Sequence, residues 1–155
     1  LEDGVELGAN SAVDRARFDH TKLGPDVKLD NFVQVAHNCE IGAGTVIAAL
    51  SGLAGSTKVG KQVQMGGQVG LGGHLTIGDN TRIAAGSSAV SDLPTGDYIG
   101  IPAVPSAQGR RIMMGQRRLP KLLEQVRDLA RRLDALEAQA APESEHAAQE
   151  RDPQT

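Results

Sequence analysis

The stretch GLAGSTKVGKQVQMGGQVGLGGHLTIG, residues 52–78, carries an aliphatic residue or methionine at every sixth position. The same register extends in both directions along the chain. Its members are Leu23, Leu29, Val35, Ile41, Ile47, Leu53, Val59, Met65, Leu71, Ile77 and Ile83. A period of six fits neither the 3.6-residue period of an α-helix nor the alternation of an ordinary strand. It is typical of a chain that winds into a triangular coil of three hexads. We therefore predict an all-β fold, a left-handed parallel β-helix, over residues 1–92.

The residues between the aliphatic positions support this interpretation. Ten of the eleven residues that directly follow them are Gly or Ala, and Asp30 is the exception. A small residue relieves crowding where the backbone turns from one side of the coil to the next. Val13 and Leu23 are separated by ten residues rather than six or twelve, so the segment ARFDHT (16–21) is predicted to leave the coil as a short excursion. Leu7 to Ala89 then makes about four and a half coils.

The period changes after the Pro- and Gly-containing segment TGDYIGIPAVP (95–105). Apolar residues now recur at alternating steps of three and four, at Leu119, Leu122, Val126, Leu129, Leu133 and Leu136. This spacing is typical of the seam of a helix that packs against a partner helix. We predict an exit loop over 93–109, a helical segment over 110–139 with Pro120 in a first turn, and a polar, disordered tail over 140–155.

Composition excludes several classes of function. The net charge of −3 divides unevenly, because residues 1–109 carry 7 Lys/Arg and 11 Asp/Glu whereas residues 110–139 carry 8 and 4. A whole-chain role in binding nucleic acid is therefore not expected, and the few aromatic residues argue against base stacking. A single cysteine, Cys39, suits a reducing compartment such as the cytoplasm. The sequence contains no apolar run of 18 residues, so no membrane span is expected.

Two motifs lack residues that the chemistry they resemble requires. GSTKVGKQ (55–62) resembles a phosphate-binding loop, but Gln62 stands where Ser or Thr is required. A zinc site of the γ-type carbonic anhydrase kind needs two histidines about one turn apart. The four histidines of this chain, His20, His37, His74 and His146, do not form such a pair, so no metal is expected. The glycines of GGQVGLGG (66–73) leave two interpretations open: a purely structural role, or space for an extended ligand against the backbone.

His37 and His74 are the main candidates for chemistry. They are 37 residues apart, which is two 18-residue coils plus one residue, so they are predicted to share one face about 9–10 Å apart along the axis. A lone outward histidine is often only a solvated polar residue. A general base must be accessible and held by a partner, and Asp30 and Asn38 are candidate partners.

Three blocks of sequence resemble a known family. They are VDRARFDHTKLGPDVKLDNFVQVAHNCEIG (13–42), residues 52–78 as quoted above, and YIGIPAVP (98–105). Together they resemble the UDP-3-O-acylglucosamine N-acyltransferases of lipid A biosynthesis, a branch of the hexapeptide-repeat acyltransferases. The resemblance runs from about Leu7 to Glu137, and the segments DNFVQVAHN and GGHLTIG are its most specific parts.

The resemblance implies roles for individual residues. His37 matches the general base that takes a proton from the 2-amine of UDP-3-O-acylglucosamine as this amine attacks an acyl thioester. His74 matches a second histidine that positions the donor or stabilises the oxyanion. Asp30, Asn31 and Asn38 are expected to orient the base. The family also implies a homotrimer with active sites between neighbouring β-helices, and acyl carrier protein as the source of the acyl group, without a further cofactor.

The basic start of the helical segment is a candidate dock for that acidic carrier protein, or simply a solvated helix start. Its arginines are Arg110, Arg111, Arg117 and Arg118. The chain departs from the family at Ala16, where Gly is usual, and at His20, where Asp is usual. The family's N-terminal uridine-binding domain has no counterpart in this sequence. Two alternatives stay open: a related UDP-N-acetylglucosamine O-acyltransferase type of enzyme, and a non-catalytic trimeric scaffold.

Overall fold

The fold was analysed in a computed structural model that describes residues 1–149. Fourteen two-residue strands build the coils: β1 (Glu6–Leu7), β2 (Ala12–Val13), β3 (Lys22–Leu23), β4 (Lys28–Leu29), β5 (Gln34–Val35), β6 (Glu40–Ile41), β7 (Val46–Ile47), β8 (Gly52–Leu53), β9 (Lys58–Val59), β10 (Gln64–Met65), β11 (Gly70–Leu71), β12 (Thr76–Ile77), β13 (Arg82–Ile83) and β14 (Ser88–Ala89). They are followed by β15 (Asp97–Ile99), β16 (Val104–Pro105) and helix α1 (Ser106–Gln149).

Each strand of the coils pairs in parallel with the third strand along the chain. The three resulting sheets contain β4–β7–β10–β13, β5–β8–β11–β14 and β3–β6–β9–β12, and they form the three sides of the coil. From β3 to β14 paired residues are 18 apart, as in Val35 with Leu53. The predicted left-handed parallel β-helix, followed by a C-terminal helix, is therefore confirmed, with about five turns.

The hexad places two columns of side chains inside the coil. The aliphatic column from Leu23 to Ile83 is only 0–5% exposed. The second column stands four residues later in each hexad and includes hydroxyls. Thr45 and Thr57 donate hydrogen bonds from Oγ1 to the carbonyl oxygens of Gly60 and Gly72, each at 2.8 Å. Among the described residues, no buried side-chain nitrogen or oxygen lacks a partner. Polar residues are tolerated in this narrow core because corner carbonyls accept from them.

The predicted excursion is confirmed between β2 and β3. Leu7 pairs with Leu29 and Val13 pairs with Val35, both 22 residues apart, whereas Leu23 pairs with Ile41 at the regular 18. Four extra residues are therefore accommodated within the segment 14–21, and we call this segment the excursion. The regular stacking resumes at β3 because the excursion leaves the inward register of the aliphatic column unchanged.

Helix α1 differs from the predicted helical segment at both ends. It begins at Ser106, inside the predicted exit loop, because Gly109 is buried against Ile99 and Val104 and this packing fixes the first turn. Pro120 therefore lies in the interior of the helix, where neighbours of high helix propensity continue it. The helix extends to Gln149, into the predicted tail, and residues 150–155 lie outside the described part of the chain.

Two compact units divide the chain, residues 1–112 and the residues from 113 onward. In the second unit the seam of α1, defined by Leu119, Leu122, Val126, Leu129, Leu133 and Leu136, is 48–63% exposed. No helix within the described residues is long and apolar enough to cross a membrane.

Candidate active site

His37 lies at the corner that follows β5. Val35 points into the core, Ala36 occupies the small position, and the imidazole of His37 is exposed on the outside of the coil. Asn38 completes the corner with a φ of 59°, in the left-handed region that Asn tolerates better than most residues. The corner therefore presents the imidazole outward.

Asn38 links the imidazole to the excursion. Its Oδ1 lies 3.1 Å from Nδ1 of His37, its Nδ2 donates to the carbonyl oxygen of Phe18 at 2.5 Å, and its backbone N–H donates to Oγ1 of Thr21 at 2.9 Å. Because Nδ2 must face the Phe18 carbonyl, Oδ1 is the atom that faces His37, and it can only accept. A neutral His37 therefore carries its proton on Nδ1, which leaves the lone pair of Nε2 free.

Gly55 lies under the imidazole, one coil further along. A Cβ placed on Gly55 would be 2.6 Å from both Cε1 and Nε2 of His37 and 3.1 Å from Nδ1. The ring thus rests against backbone that carries no side chain. Gly55 is not among the candidate site residues predicted from the sequence; it is the first residue of GSTKVGKQ (55–62). The signal that could have found it is its position 18 residues after His37, in the next layer of the same corner.

His74 shares this corner with His37. It follows β11, is exposed, and has a φ of 61°. Two backbone hydrogen bonds connect the layers: Ser56 N–H donates to the carbonyl of His37 at 2.9 Å, and His74 N–H donates to the carbonyl of Gly55 at 3.0 Å. The structure therefore places both histidines on one edge of the coil, as their spacing predicts.

Asp30 and Asn31 lie at a different corner, the one that follows β4. Oδ1 of Asp30 accepts from the backbone N–H of Asn31 at 2.8 Å, and Oδ1 of Asn31 accepts from the backbone N–H of Ala9 at 2.8 Å. Within this chain neither residue contacts His37. Asn38 is the predicted orienting residue that the structure brings to the base.

Cys39 follows the corner formed by His37 and Asn38, and its side chain points into the coil. Its thiol is fully buried and donates to the carbonyl oxygen of Ala54 at 3.2 Å. Burial raises the pKa of the Cys39 thiol, so it stays protonated at neutral pH and behaves as a core residue rather than a nucleophile. Among the described residues, no group of three or more His, Cys, Asp or Glu side chains is placed to hold a metal ion.

The glycines of the segment 66–73 fall into two groups. A Cβ on Gly66 would lie 2.5 Å from the backbone nitrogen of Ala85, so this glycine is required by the packing of the coils. A Cβ on Gly70 or Gly73 would come no closer than 3.3 or 3.4 Å to its nearest atom. The packing of the coils therefore does not explain Gly70 and Gly73 as fully as it explains Gly66. At these two positions the outer surface next to the histidine corner is flat.

The four arginines of the predicted carrier-binding set lie on α1. Arg110 and Arg111 lie in its second turn, and Arg117 and Arg118 lie further along the helix; all four are exposed. None of them forms a salt bridge within the described residues. Their charges are therefore available to an acidic partner.

Comparison with known proteins shows what this chain is similar to. Residues 20–55 match the family described as bacterial transferase hexapeptide (six repeats). A UDP-3-O-acylglucosamine N-acyltransferase from Synechococcus elongatus is 44% identical over 138 residues, which cover 88% of this chain and 39% of that protein. The chain is related to the UDP-3-O-acylglucosamine N-acyltransferases. It spans about two fifths of the length of this relative.

Solved structures of acyltransferases share the fold. A GDP-perosamine N-acetyl transferase from Caulobacter crescentus aligns with 66% of this chain and 50% of its own, with a TM-score of 0.58 and 28% identity. A UDP-N-acetylglucosamine O-acyltransferase from Moraxella catarrhalis aligns with 66% of this chain and 44% of its own, with a TM-score of 0.58 and 26% identity. Both proteins share the β-helical fold of this chain.

Proposed function

We propose that this chain is the catalytic β-helix of an N-acyltransferase. It moves a 3-hydroxyacyl group from acyl carrier protein to the 2-amine of UDP-3-O-acylglucosamine, in the cytoplasm and without a cofactor. The observation that carries the proposal is the placement of His37: its Nδ1 lies 3.1 Å from Oδ1 of Asn38 on an exposed edge. Since this oxygen can only accept, Nε2 of the neutral ring keeps its lone pair.

The proposed reaction uses His37 first as a base and then as an acid. The amine nitrogen attacks the thioester carbonyl while Nε2 of His37 takes one of its protons, which forms a tetrahedral intermediate and an imidazolium. The intermediate collapses, the carbon–sulfur bond breaks, and the thiolate of the carrier leaves. The imidazolium then returns its proton to this sulfur. The products are an amide and a free carrier thiol, and His37 is regenerated.

The other residues of the site take supporting roles in this proposal. His74, on the same edge, positions the donor or stabilises the oxyanion of the intermediate. Asp30 and Asn31 lie at another corner of this chain, so an orienting role for them requires contact from a neighbouring copy. This agrees with the proposed homotrimer, in which the active sites lie between subunits.

Two features favour an amine over a hydroxyl as the acceptor. The relative from Synechococcus elongatus is named an N-acyltransferase. The Caulobacter crescentus enzyme is named an N-acetyl transferase and was solved in complex with CoA and GDP-perosamine. The alternative is O-acyl transfer, as named for the Moraxella catarrhalis enzyme. Offering the free-amine and the hydroxyl acceptor separately to the protein distinguishes the two.

Substitution of His37 tests the proposal. In the full gene product, His37→Ala should lower kcat by about 10²–10⁴ because the proton transfer is lost. His20→Ala is the control, since it removes another exposed histidine, one whose ring bonds to the adjacent Asp19 rather than to Asn38, and it should keep the activity. Circular dichroism and thermal melting verify that both variants fold. Activity of His37→Ala within about threefold of the parent would reject His37 as the base.

A further inference from the structure

Several glycines that directly follow a residue of the aliphatic column are explained by the backbone of the neighbouring coil. A Cβ on Gly42 would lie 2.5 Å from the carbonyl carbon of Gly60, and a Cβ on Gly78 would lie 2.7 Å from the backbone nitrogen of Thr95. Such clashes involve main-chain atoms that cannot move without opening the stack. These glycines are therefore requirements of the fold.

Gly55 is different, because the three atoms that a Cβ would meet first all belong to the imidazole of His37. Its φ is not in the left-handed region, so its backbone conformation does not call for glycine. A side-chain ring at an exposed corner can swing away at low cost. The fold therefore tolerates a methyl group at this position, whereas the observed placement of His37 does not.

The contact concerns the reacting edge of the ring. Cε1 and Nε2 are the atoms at 2.6 Å from the position of that Cβ, whereas Nδ1, the atom bound to Asn38, is at 3.1 Å. A methyl group at residue 55 would thus push against the nitrogen that carries the free lone pair. It would also rotate the ring away from Oδ1 of Asn38, which sets the tautomer.

We propose that Gly55 is a positioning residue for His37, whose missing side chain keeps the imidazole against the next coil with Nδ1 on Asn38 and Nε2 free. The catalytic consequence rests on the proposed function, but the placement of the ring does not. Asn38 holds the ring from one side and the bare backbone of Gly55 receives it on the other.

Gly55→Ala tests this, with Gly73→Ala as the matched control. Gly73 occupies the same corner position one coil further along, and a Cβ there would meet its nearest atom, the carbonyl oxygen of Gly55, at 3.4 Å, an ordinary contact. In protein with ¹⁵N-labelled histidine, Gly55→Ala should shift the ring nitrogen signals of His37 and mix its two neutral tautomers. Gly73→Ala should leave the tautomer of His37 unchanged. Unchanged His37 signals in Gly55→Ala would overturn the proposal whether or not the protein is an acyltransferase.

Kinetics of the full gene product give the second readout. Gly55→Ala should lower kcat by about 10²-fold, since misplacing a catalytic group by about 1 Å has an effect of that size. In a His37→Ala background, Gly55→Ala should lower kcat no further, because the group it acts through is already gone. Additive losses would show that Gly55 acts independently of His37 and would reject the proposal.

Melting temperatures distinguish a positioning role of Gly55 from a requirement of the fold. Gly55→Ala should melt within a few degrees of the parent. The double variant His37→Ala/Gly55→Ala should melt like His37→Ala, because no ring remains to be displaced. If Gly55→Ala destabilises the protein equally with and without His37, then the glycine is needed by the fold and the proposal is wrong.

Discussion

The β-helix and the C-terminal helix both carry a regular column of apolar residues, but only the β-helix covers its own. The aliphatic column from Leu23 to Ile83 is 0–5% exposed, because each coil is covered by the coils before and after it. The seam of α1 is 48–63% exposed, because a single helix cannot bury its own stripe. One chain therefore buries the first column by itself, whereas burial of the second takes a further surface.

The largest effect is expected from a cavity in the β-helix. Ile47→Ala in the middle of the aliphatic column should lower the free energy of unfolding by about 2–5 kcal/mol, and Ile47→Val by about 0.5–1.5 kcal/mol. Leu129→Ala, in the second compact unit, should leave the unfolding transition of the β-helix unchanged. Chemical denaturation followed by circular dichroism measures all three. Equal losses for Ile47→Ala and Leu129→Ala would contradict the contrast between the two columns.

The seam of α1 is expected to direct assembly. An exposed apolar stripe favours association, so the protein should sediment as an oligomer, a trimer by our proposal, at micromolar concentration. Leu129→Asp should weaken this assembly by more than about tenfold, since burying a carboxylate costs several kcal/mol. Gln125→Asp, which adds the same charge next to the seam, is the control. A stable monomer of the unmodified protein at micromolar concentration would contradict the prediction.

The sequence predicted the β-helix because the six-residue period is a local rule that every coil repeats. The same arithmetic placed His37 and His74 on one edge. Asp30 was expected beside His37, but it stands seven residues earlier, at the preceding corner, and within one chain it does not reach the base. The contacts of Asn38 with Phe18 and of Gly55 with His37 were not predicted. They join residues 18–20 positions apart and arise only when the excursion and the stacking are fixed. The start of α1 at Ser106 likewise depends on how Gly109 packs against Ile99.

The β-helix and the C-terminal helix also differ in charge. An effect of intermediate size, on KM for the carrier-bound donor, is expected from this difference. Residues 1–109 are acidic overall, whereas Arg110 and Arg111 open a basic stretch of α1. If this stretch docks the acidic carrier protein, replacing both arginines by Glu should raise KM for the carrier-bound donor by about tenfold, with a smaller effect at high salt. Lys61→Glu reverses an exposed charge on the β-helix and should change KM little. An unchanged KM and salt profile in the arginine variant would reject the dock.

The smallest effect is expected where the last coil of the β-helix is joined to β15. Arg82 holds Asp97 through two hydrogen bonds, Nε to Oδ1 at 2.7 Å and Nη2 to Oδ2 at 2.8 Å. This guanidinium lowers the pKa of the Asp97 carboxyl below its ordinary value of 3.8. A carboxylate whose pKa is lower in the folded state contributes stability above its unfolded pKa, and this contribution disappears as the pH falls through the folded pKa.

Asp97→Asn should therefore melt slightly below the parent at neutral pH, and the difference should close as the pH is lowered below about 3.8. Both side chains are well exposed, so the effect is small and high salt should reduce it. Melting temperatures of the two proteins, measured from neutral pH to pH 2, test this; a difference that stays constant across that range would show that the ion pair does not contribute.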